Sequence, residues 1–455
     1  METLRSTLDG AAWTAQDSSY AESIFAWNVS TNHPAEVVVD AANEQDVQRS
    51  VAWASQRGMS VSTQATGHGQ HRTCAGMLVR TRSLKSVVVD PEKRTARVGA
   101  GCQWADVLQA AAPYGLGAMS GSAPHVGMVG YTLGGGVGLM LRKHGLAVDK
   151  VRSARVVLAD GSVVEASRTQ DADLFWALMG GGGAFGVVTE MEIELVPVGD
   201  FYGGAAFWDV AHAPQVFERY AAWSAALPEE ATTSLHVMNF PPVPFIPEPL
   251  RGRSMVYITA AIVGAGDRAE SLVQELRGWP GHEFDSFRPM PYTESGSVHS
   301  DPVDPLPFRG GGALLHRVDA TSLAQVLEAF GEPQASPHLM LQIRALGGAA
   351  SRNETGPMSP LRQAGGVVYM LGLALPDLIE PAKAHEAAFM AGLGDNLARR
   401  GPLNWVGEND TPADRYRNVY TDEDWSRLVR VKNQVDPQNV FRHASVGLVL
   451  AEIGG

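Results

Sequence analysis

The chain has 455 residues, of which 45% are hydrophobic and 19% charged, and this length predicts two globular domains or one large bipartite unit. The formal net charge of −13 argues against nucleic acid or an anionic membrane surface as a partner, because both need a positive patch on the protein. The two cysteines, Cys74 and Cys102, are too few for a disulfide framework or a zinc cluster, so no metal site is expected.

The sequence shows no signal for export or for a membrane. Its first residues are polar, and the best apolar run of its last third, residues 366–375, is too short to span a bilayer. We therefore expect a cytoplasmic protein. A small molecule is its expected partner, and the protein is expected to be a monomer or a homodimer.

The first predicted elements form a βαβ unit. Residues 36–40 predict a buried strand, and Asn43 can cap a helix over residues 44–56. Residues 59–63 predict the next strand. The loop that follows, residues 64–70, therefore lies at the carboxyl end of a strand, where α/β folds bind ligands.

That loop, Gln-Ala-Thr-Gly-His-Gly-Gln, places His68 between two glycines. Glycine lets the backbone approach a ligand closely and adopt positive φ. Successive free N–H groups in such a turn can bind a pyrophosphate. Alone, the motif is more typical of an ordinary loop than of a binding site, and a second glycine cluster changes this interpretation.

The second cluster, residues 121–138, contains seven glycines in an otherwise apolar stretch. Each glycine costs conformational entropy unless something lies against its bare backbone. The cluster therefore predicts a large planar or phosphorylated ligand. A dinucleotide-binding motif fits poorly, because residues 134–138 lack both G-x-G-x-x-G and a strand–turn–helix frame.

The remaining elements follow from alternation, turn signals and helical periodicity. Strands are predicted at residues 77–81, 86–90, 95–98, 151–158, 162–166, 186–196, 234–239, 254–263, 314–318, 340–346 and 367–373. Helices are predicted at residues 173–178, 215–226, 267–277, 323–330, 383–399 and 423–431. The pattern changes near residue 201, which predicts an antiparallel sheet backed by helices, with one face free to cover a ligand. Trp104, Phe25 and Trp27 are expected to pack onto the core.

Several ordered motifs give the chain a family resemblance. They are residues 65–69, 121–138, 142–149, 173–177, 180–183, 185–189 and 435–442. Together they resemble the vanillyl-alcohol-oxidase-type (PCMH-type) FAD-binding oxidoreductases, within the branch of berberine bridge enzyme and 6-hydroxynicotine oxidase. The resemblance extends from about Trp27 to Arg442.

The resemblance implies an α+β fold in three parts. An FAD-binding domain is expected over residues 1–200, an inserted substrate domain with an antiparallel sheet over residues 201–400, and a C-terminal return over residues 401–455. The implied activity is that of an oxidase in secondary metabolism. It transfers a hydride from an alcohol or amine to flavin N5, and O2 then reoxidises the flavin and becomes hydrogen peroxide.

The resemblance also implies that His68 carries the FAD through its 8α-methyl group. Ala123 stands where doubly linked relatives have a cysteine, which leaves His68 as the sole implied attachment. The other implied FAD contacts are Ala65, Thr66, Gly67, Gly69, Gln70, Gly121, Ser122, Gly127, Gly130, Tyr131, Thr132, Gly135, Gly136, Leu146, Gly186, Val188 and Asn404.

The catalytic base is left open. Pro402 replaces the tyrosine that often serves as the base in this family, and Tyr131 replaces a histidine common in its plant-like branch. An amine substrate, or a hydroxyl activated by water, would need no such tyrosine. The catalytic candidates are Tyr131, Gln342, Arg344 and Tyr369. Residues 342 and 344 are spaced to share one face of a strand.

Two alternatives differ in class from the oxidase. In the first, the flavin is bound but takes no part in redox turnover, and the cleft shapes a polyene or polyketide for cyclisation. In the second, the protein binds a small molecule and has no cofactor. Gln64, where relatives often carry arginine, has no assigned role.

Overall fold

A computed structural model describes residues 1–31, 33–69, 73–407 and 413–453. Its first region holds the strands β1 (Ala11–Trp13), β2 (Val37–Asp40), β3 (Val61–Gln64), β4 (Met77–Arg80), β5 (Val87–Asp90), β6 (Thr95–Gly99), β7 (Leu116–Gly117), β8 (Val151–Val157), β9 (Val163–Ser167), β10 (Val187–Glu194) and β11 (Val196–Pro197). Its helices are α1 (Glu2–Arg5), α2 (Tyr20–Ser23), α3 (Glu44–Ser55), α4 (Trp104–Ala111), α5 (Met128–Leu133), α6 (Leu141–His144) and α7 (Ala172–Gly181).

The βαβ unit is confirmed, with one strand inserted into it. The first sheet has the order β1-β2-β4-β3, and both β2 and β3 run parallel to β4. Asn43 caps α3 as predicted, because its side chain accepts a hydrogen bond of 3.0 Å from the amide of Asp46. Strand β3 then leads directly into residues 65–69.

A second, antiparallel sheet has the order β5-β6-β10-β8-β9. Its inner face packs with α4, α5 and α7 in one apolar core that includes Val98, Met191 and Trp104. Trp104 is buried, as predicted. Helix α5 lies within the glycine cluster of residues 121–138 and was not predicted from the sequence.

The second region is built on a large sheet with helices behind it. Its strands are β12 (Phe201–Asp209), β13 (Ala231–Asn239), β14 (Ser254–Val263), β15 (His282–Asp285), β16 (Arg288–Pro289), β17 (Phe308–Leu315), β18 (Met340–Ala345), β19 (Gly366–Leu373) and β20 (Leu397–Arg400). Its helices are α8 (Ala213–Ala226), α9 (Arg268–Arg277), α10 (Ala320–Phe330), α11 (Ser359–Gln363) and α12 (Pro376–Gly392).

This antiparallel sheet has the order β15-β12-β14-β13-β18-β19-β17-β20, and β16 also pairs with β12. One face is apolar: Leu235 and Leu341 pack there against Phe217 of α8 and Val326 of α10. Side chains alternate along a strand, so the intervening residues lie on the opposite face. That face is turned toward the first region, and the predicted antiparallel sheet backed by helices is confirmed.

Two predicted elements of this region are wrong. The helix predicted over residues 383–399 begins at Pro376 and ends at Gly392, and Leu397–Arg400 forms an edge strand beside β17. The strand predicted over residues 314–318 is in fact Phe308–Leu315. It includes three glycines, at residues 310–312. At Gly310 a Cβ atom would lie 2.4 Å from the carbonyl oxygen of Met370, so the close approach of neighbouring strands requires glycine there.

The chain ends on the first region through α13 (Ala413–Arg417), α14 (Asp422–Val435) and α15 (Ser445–Ile453). Lys432 is fully buried and donates to Asp436 at 2.5 Å and to the carbonyl oxygen of Ala184 at 2.7 Å. Asp436 also accepts from the amides of Val440 and Phe441. These contacts join the C-terminal turn to the segment after α7.

The described residues contain no helix with the length and apolarity needed to cross a membrane. We keep residues 1–200, 201–400 and 401–455 as proposed domain limits.

Candidate active site

The His68 loop is held by the chain segment that precedes β2. The amide of Trp27 donates to Thr66 and that of Asn28 to Gly67, both at 3.0 Å. Gly67 has a φ of +78°, and a Cβ atom there would lie 2.6 Å from that of Ala26. Only glycine fits this position without displacing the neighbouring segment.

The His68 ring lies half-buried between aromatic neighbours. It stacks on Trp27 with ring centroids 4.0 Å apart and lies 4.7 Å from the ring of His125. Its Nδ1 contacts the hydroxyl of Thr66 at 3.1 Å, and its Nε2 is buried without a hydrogen-bond partner among the described residues. Burial and the neighbouring His125 lower the pKa of His68 to about 3. The imidazole is therefore neutral at pH 7.

The lead-in segment differs from its prediction in one respect. Trp27 packs as expected, although its partner is His68 and its indole N–H donates to the carbonyl oxygen of Val303 at 2.8 Å. Phe25 is 49% exposed, so its predicted place in the core is wrong. Its backbone carbonyl serves instead as an acceptor for Gln64 at 2.7 Å.

Gln64, at the end of β3, has a structural role. Its carboxamide oxygen contacts Nε2 of His33 at 3.0 Å, while its nitrogen donates to Phe25. The other ring nitrogen of His33 accepts from the amide of Cys74 at 3.1 Å. Gln64 therefore ties the start of the His68 loop to two neighbouring segments.

The two glycine motifs meet in space. The Cβ position of Gly127 lies 3.4 Å from the side chains of Ala65 and Thr66, so the amino end of α5 touches the His68 loop. Gly130, one turn further on, is exposed, and its Cβ position has no heavy atom within 4 Å among the described residues. This side of α5 is therefore open next to the histidine loop.

Other glycines of the cluster face protein. The Cβ positions of Gly134, Gly135 and Gly136 lie 2.4–2.5 Å from atoms of Asn404, Met358 and Ala147, respectively. Close packing of protein atoms explains these three glycines without a ligand. The predicted contacts of Gly135 and Gly136 with FAD stay predictions.

Asn404 joins the C-terminal segment to the cluster. Its amide nitrogen donates to the carbonyl oxygen of Tyr131 at 3.1 Å, and its oxygen accepts from the amide of Gly136 at 3.4 Å. The Tyr131 ring packs edge-on against Trp104 at 5.6 Å. Its hydroxyl is buried without a partner among the described residues, and this burial raises its pKa well above the usual range. Tyr131 is therefore a neutral hydrogen-bond donor.

The other predicted FAD contacts take varied positions. The Thr132 hydroxyl donates to Met128 within α5, and the Leu146 amide donates to Asp149. Gly121, Gly186 and Val188 are buried, Ser122 is half-buried and Gly69 is exposed. Gln70 lies outside the described residues. Their contacts with FAD also stay predictions.

The opposite wall of the site is the second face of the large sheet. Gln342 of β18 pairs with His236 of β13 on one side and with Tyr369 of β19 on the other. Arg344 pairs with Ser234, two residues further along each strand. Gln342 and Arg344 thus share a face, as their spacing predicted.

Arg344 brings this face against the glycine cluster. Its Nη1 donates to the carbonyl oxygen of Val137 at 2.7 Å, and its Nε donates to the hydroxyl of Ser234 at 3.3 Å. The guanidinium carbon lies 5.5 Å from the ring centroid of Trp405, on which Tyr369 stacks at 5.4 Å. Three of the four catalytic candidates, Gln342, Arg344 and Tyr369, therefore converge with Trp405.

The sequence did not single out the imidazole of this face. His236 is fully buried and stacks on Tyr257 at 4.2 Å. Its Nε2 contacts the hydroxyl of Thr259 at 3.3 Å, which in turn contacts Nε2 of the partly exposed His299 at 3.4 Å. Burial, then the charges of His299 and Arg344, lower the pKa of His236 well below its usual value. The sequence signal that could have identified His236 is its position between two core residues, Leu235 and Val237.

The residues present fit an FAD. An unpartnered buried polar group costs about 1–3 kcal/mol, and two such atoms, His68 Nε2 and the Tyr131 hydroxyl, belong to the two glycine motifs. Next to them α5 is open at Gly130, and the polar sheet face lies opposite. A flat ring system with oxygen and nitrogen atoms at its edge satisfies this combination.

Comparisons with known proteins support the same cofactor. A model of the FAD binding domain matches residues 35–167, and a model of berberine and berberine-like proteins matches residues 403–445. The (R)-6-hydroxynicotine oxidase of Paenarthrobacter nicotinovorans is 30% identical over 413 residues, covering 88% of each chain. The FAD-linked oxidoreductase YgaK of Bacillus subtilis is 24% identical over 450 residues, covering 96% of each chain.

Solved structures agree. The crystal structure of 6-hydroxy-D-nicotine oxidase from Arthrobacter nicotinovorans has a TM-score of 0.80 at 25% identity, covering 96% of this chain and 97% of that one. The fold is also shared with BBE-like 1 of Physcomitrella patens, with a TM-score of 0.82 at 19% identity and 97% of each chain covered. The chain therefore belongs to the FAD-linked oxidoreductases of the berberine-bridge-enzyme and 6-hydroxynicotine-oxidase family.

Proposed function

We propose that this protein is an FAD-dependent oxidase of a small organic alcohol or amine. The observation that carries the proposal is the contact of the polar sheet face with the glycine cluster, made by Arg344 and Val137 at 2.7 Å. A few polar groups that converge from two regions are typical of a substrate site. FAD held there would supply the hydride acceptor of an oxidase, with O2 as the final electron acceptor.

His68 would hold the cofactor covalently. Its imidazole is neutral at pH 7, because burial and His125 lower its pKa to about 3, and a neutral ring nitrogen can form a bond to carbon. The stacked ring of Trp27, 4.0 Å away, fixes the orientation of the imidazole. Cys74 and Cys102 are buried, and Ala123 offers no thiol, so a second attachment has no candidate among the described residues.

The sheet face would orient the substrate and take its proton. Gln342 and Tyr369 offer hydrogen-bonding groups beside His236. We assign the proton to Nδ1 of His236, which is buried without a partner among the described residues. The lowered pKa of His236 keeps its imidazole neutral but also makes it a weak base, and in this proposal it takes the proton in place of the absent family tyrosine.

Oxygen reactivity tests the proposal without knowledge of the substrate. Purified protein with its flavin is reduced by dithionite without air and mixed with oxygenated buffer, and flavin absorbance and hydrogen peroxide are followed. An oxidase is reoxidised within seconds, faster than free reduced FAD, and releases hydrogen peroxide in proportion to its flavin. Reoxidation over many minutes would contradict the proposal and favour a dehydrogenase or the non-redox alternative.

A further inference from the structure

Arg344 is a buried cation whose hydrogen bonds go to neutral groups. It is 2% exposed, and its hydrogen-bond partners among the described residues are the carbonyl oxygen of Val137 and the hydroxyl of Ser234. No carboxylate lies within ion-pair distance of it among the described residues. Arg362 is paired, since it contacts Asp149 at 2.7 Å. Arg309 of β17 is also buried and hydrogen-bonds to a backbone carbonyl oxygen. Arg344 differs from both in lying on the polar face against the glycine cluster.

An unpaired guanidinium is costly in such a place. The penalty for burying an ion is several kcal/mol, and it is recovered only when an opposite charge with good geometry is present. A planar guanidinium with free N–H groups matches a carboxylate in two parallel hydrogen bonds. Asp301 acts on Arg344 from a distance and makes no hydrogen bond with it.

We propose that Arg344 is the counterion of an anionic oxygen group on the substrate, so that the oxidase acts on an organic acid. This inference rests on the proposed function and names its substrate class. The anion would lie between β18 and the glycine cluster, with the Trp405 ring against the guanidinium. The overall charge of −13 does not attract such a substrate, so recognition depends on this local cation.

The sheet also sets the length of the substrate. The next pair on the same face, Gln342 and His236, lies two residues along the strands, which is about 7 Å. An acid held by Arg344 therefore presents to His236 a carbon roughly one aromatic ring away from its carboxylate. Substituted benzoates have this span.

Binding of an anion to Arg344 would also change the pKa of nearby imidazoles. Burial is the main cause of the lowered pKa of His236 and of His299, the charge of Arg344 lowers both further, and Asp301 raises that of His299. Tyr131 and Tyr220 also face the guanidinium. A carboxylate on Arg344 cancels its field, which makes His236 a stronger proton acceptor when substrate is present.

The pyrimidine edge of the flavin, which becomes anionic on reduction, is a second anion that can pair with Arg344. Replacement of Arg344 distinguishes a substrate anion from a flavin anion, because each predicts the loss of a different binding reaction. If the substrate is the anion, carboxylate binding falls. If the flavin is the anion, formation of the N5–sulfite adduct weakens and carboxylate binding does not change.

The experiment titrates the flavin-loaded protein with benzoate and with its neutral analogue benzamide, following flavin absorbance and heat. We expect Arg344→Gln to weaken benzoate binding about 10- to 100-fold, the range of a charge-assisted hydrogen bond, and to leave benzamide unchanged. Arg344→Lys keeps the charge and is expected to lose only part of this affinity. Arg352→Gln, an exposed arginine paired with Glu229, is the matched control.

Three results would overturn the inference: no benzoate binding to the wild type, equal loss of benzoate and benzamide, or loss of sulfite affinity alone. Reoxidation of the reduced Arg344→Gln protein by O2 tests the oxidase proposal separately from the proposal of an acid substrate. Fast reoxidation together with unchanged benzoate binding contradicts the acid substrate and leaves the oxidase proposal standing.

Discussion

At the residue scale, the glycines of the site have two kinds of neighbour. Gly130 is open to a ligand, whereas Gly134 and Gly136 are packed against Asn404 and Ala147. Glycine content in the sequence predicts close approach of something to the backbone. It does not tell a ligand from another part of the chain, and this distinction needed the folded positions of Asn404 and Ala147.

Gly67 offers a test of this close packing. Gly67→Ala combines positive φ with a clash against Ala26, and we expect it to lower the free energy of unfolding by about 2–4 kcal/mol. Gly58→Ala is the matched control, since Gly58 has a φ of +66° but no atom within 4 Å of its Cβ position, and about 1 kcal/mol is expected. Chemical denaturation measures both, and equal losses would refute the packing role of Gly67.

His236 carries a prediction about pH. Its pKa is depressed by burial and by the charges of His299 and Arg344, so its ring should remain neutral as pH falls through about 6.5, where free histidines titrate. Arg344→Gln removes one depressing charge and should raise that pKa. Histidine NMR titration checks this, with His236→Gln to assign the signal. Titration of wild-type His236 at an ordinary pKa would show that the imidazole is not in this environment.

At the element scale, local signals in the sequence predicted the first region well. Asn43 correctly marked the start of α3, and the strands predicted over residues 151–158 and 162–166 are confirmed as β8 and β9. The errors lie where tertiary contacts overrule local pattern. Strand β12 contains Gly203 and Gly204, and it was missed because its glycines are explained only by Val298 and by residues 286–287 packed on them.

The buried ion pair between Lys432 of α14 and Asp436 leads to a prediction about stability. Lys432→Met leaves Asp436 buried without its cation, and we expect a loss of about 3–5 kcal/mol. Lys93→Met removes an exposed pair with Asp90 and should leave stability nearly unchanged. Thermal unfolding compares the two. Similar melting temperatures for both variants would contradict a structural role for the C-terminal turn.

At the scale of the whole molecule, the site is assembled from distant segments. The His68 loop, the glycine cluster, β18 and the segment around Trp405 are far apart in the chain and meet between the two regions. Spacing along one strand was enough to predict that Gln342 and Arg344 share a face. The stacking of Trp27 on His68 and the contact of Arg344 with Val137 cross long stretches of sequence, and no local pattern encodes them.

The attachment of the cofactor is the central proposal for the molecule as a whole, and the mass of the denatured protein tests it most directly. After acid precipitation, we expect the wild type to retain the mass of one FAD, located on the peptide that contains His68. His68→Ala should retain none, and His144→Ala, a half-buried histidine of α6, should keep the full mass. Wild-type protein that releases all its flavin, or His68→Ala protein that keeps the attached mass, would contradict the assignment.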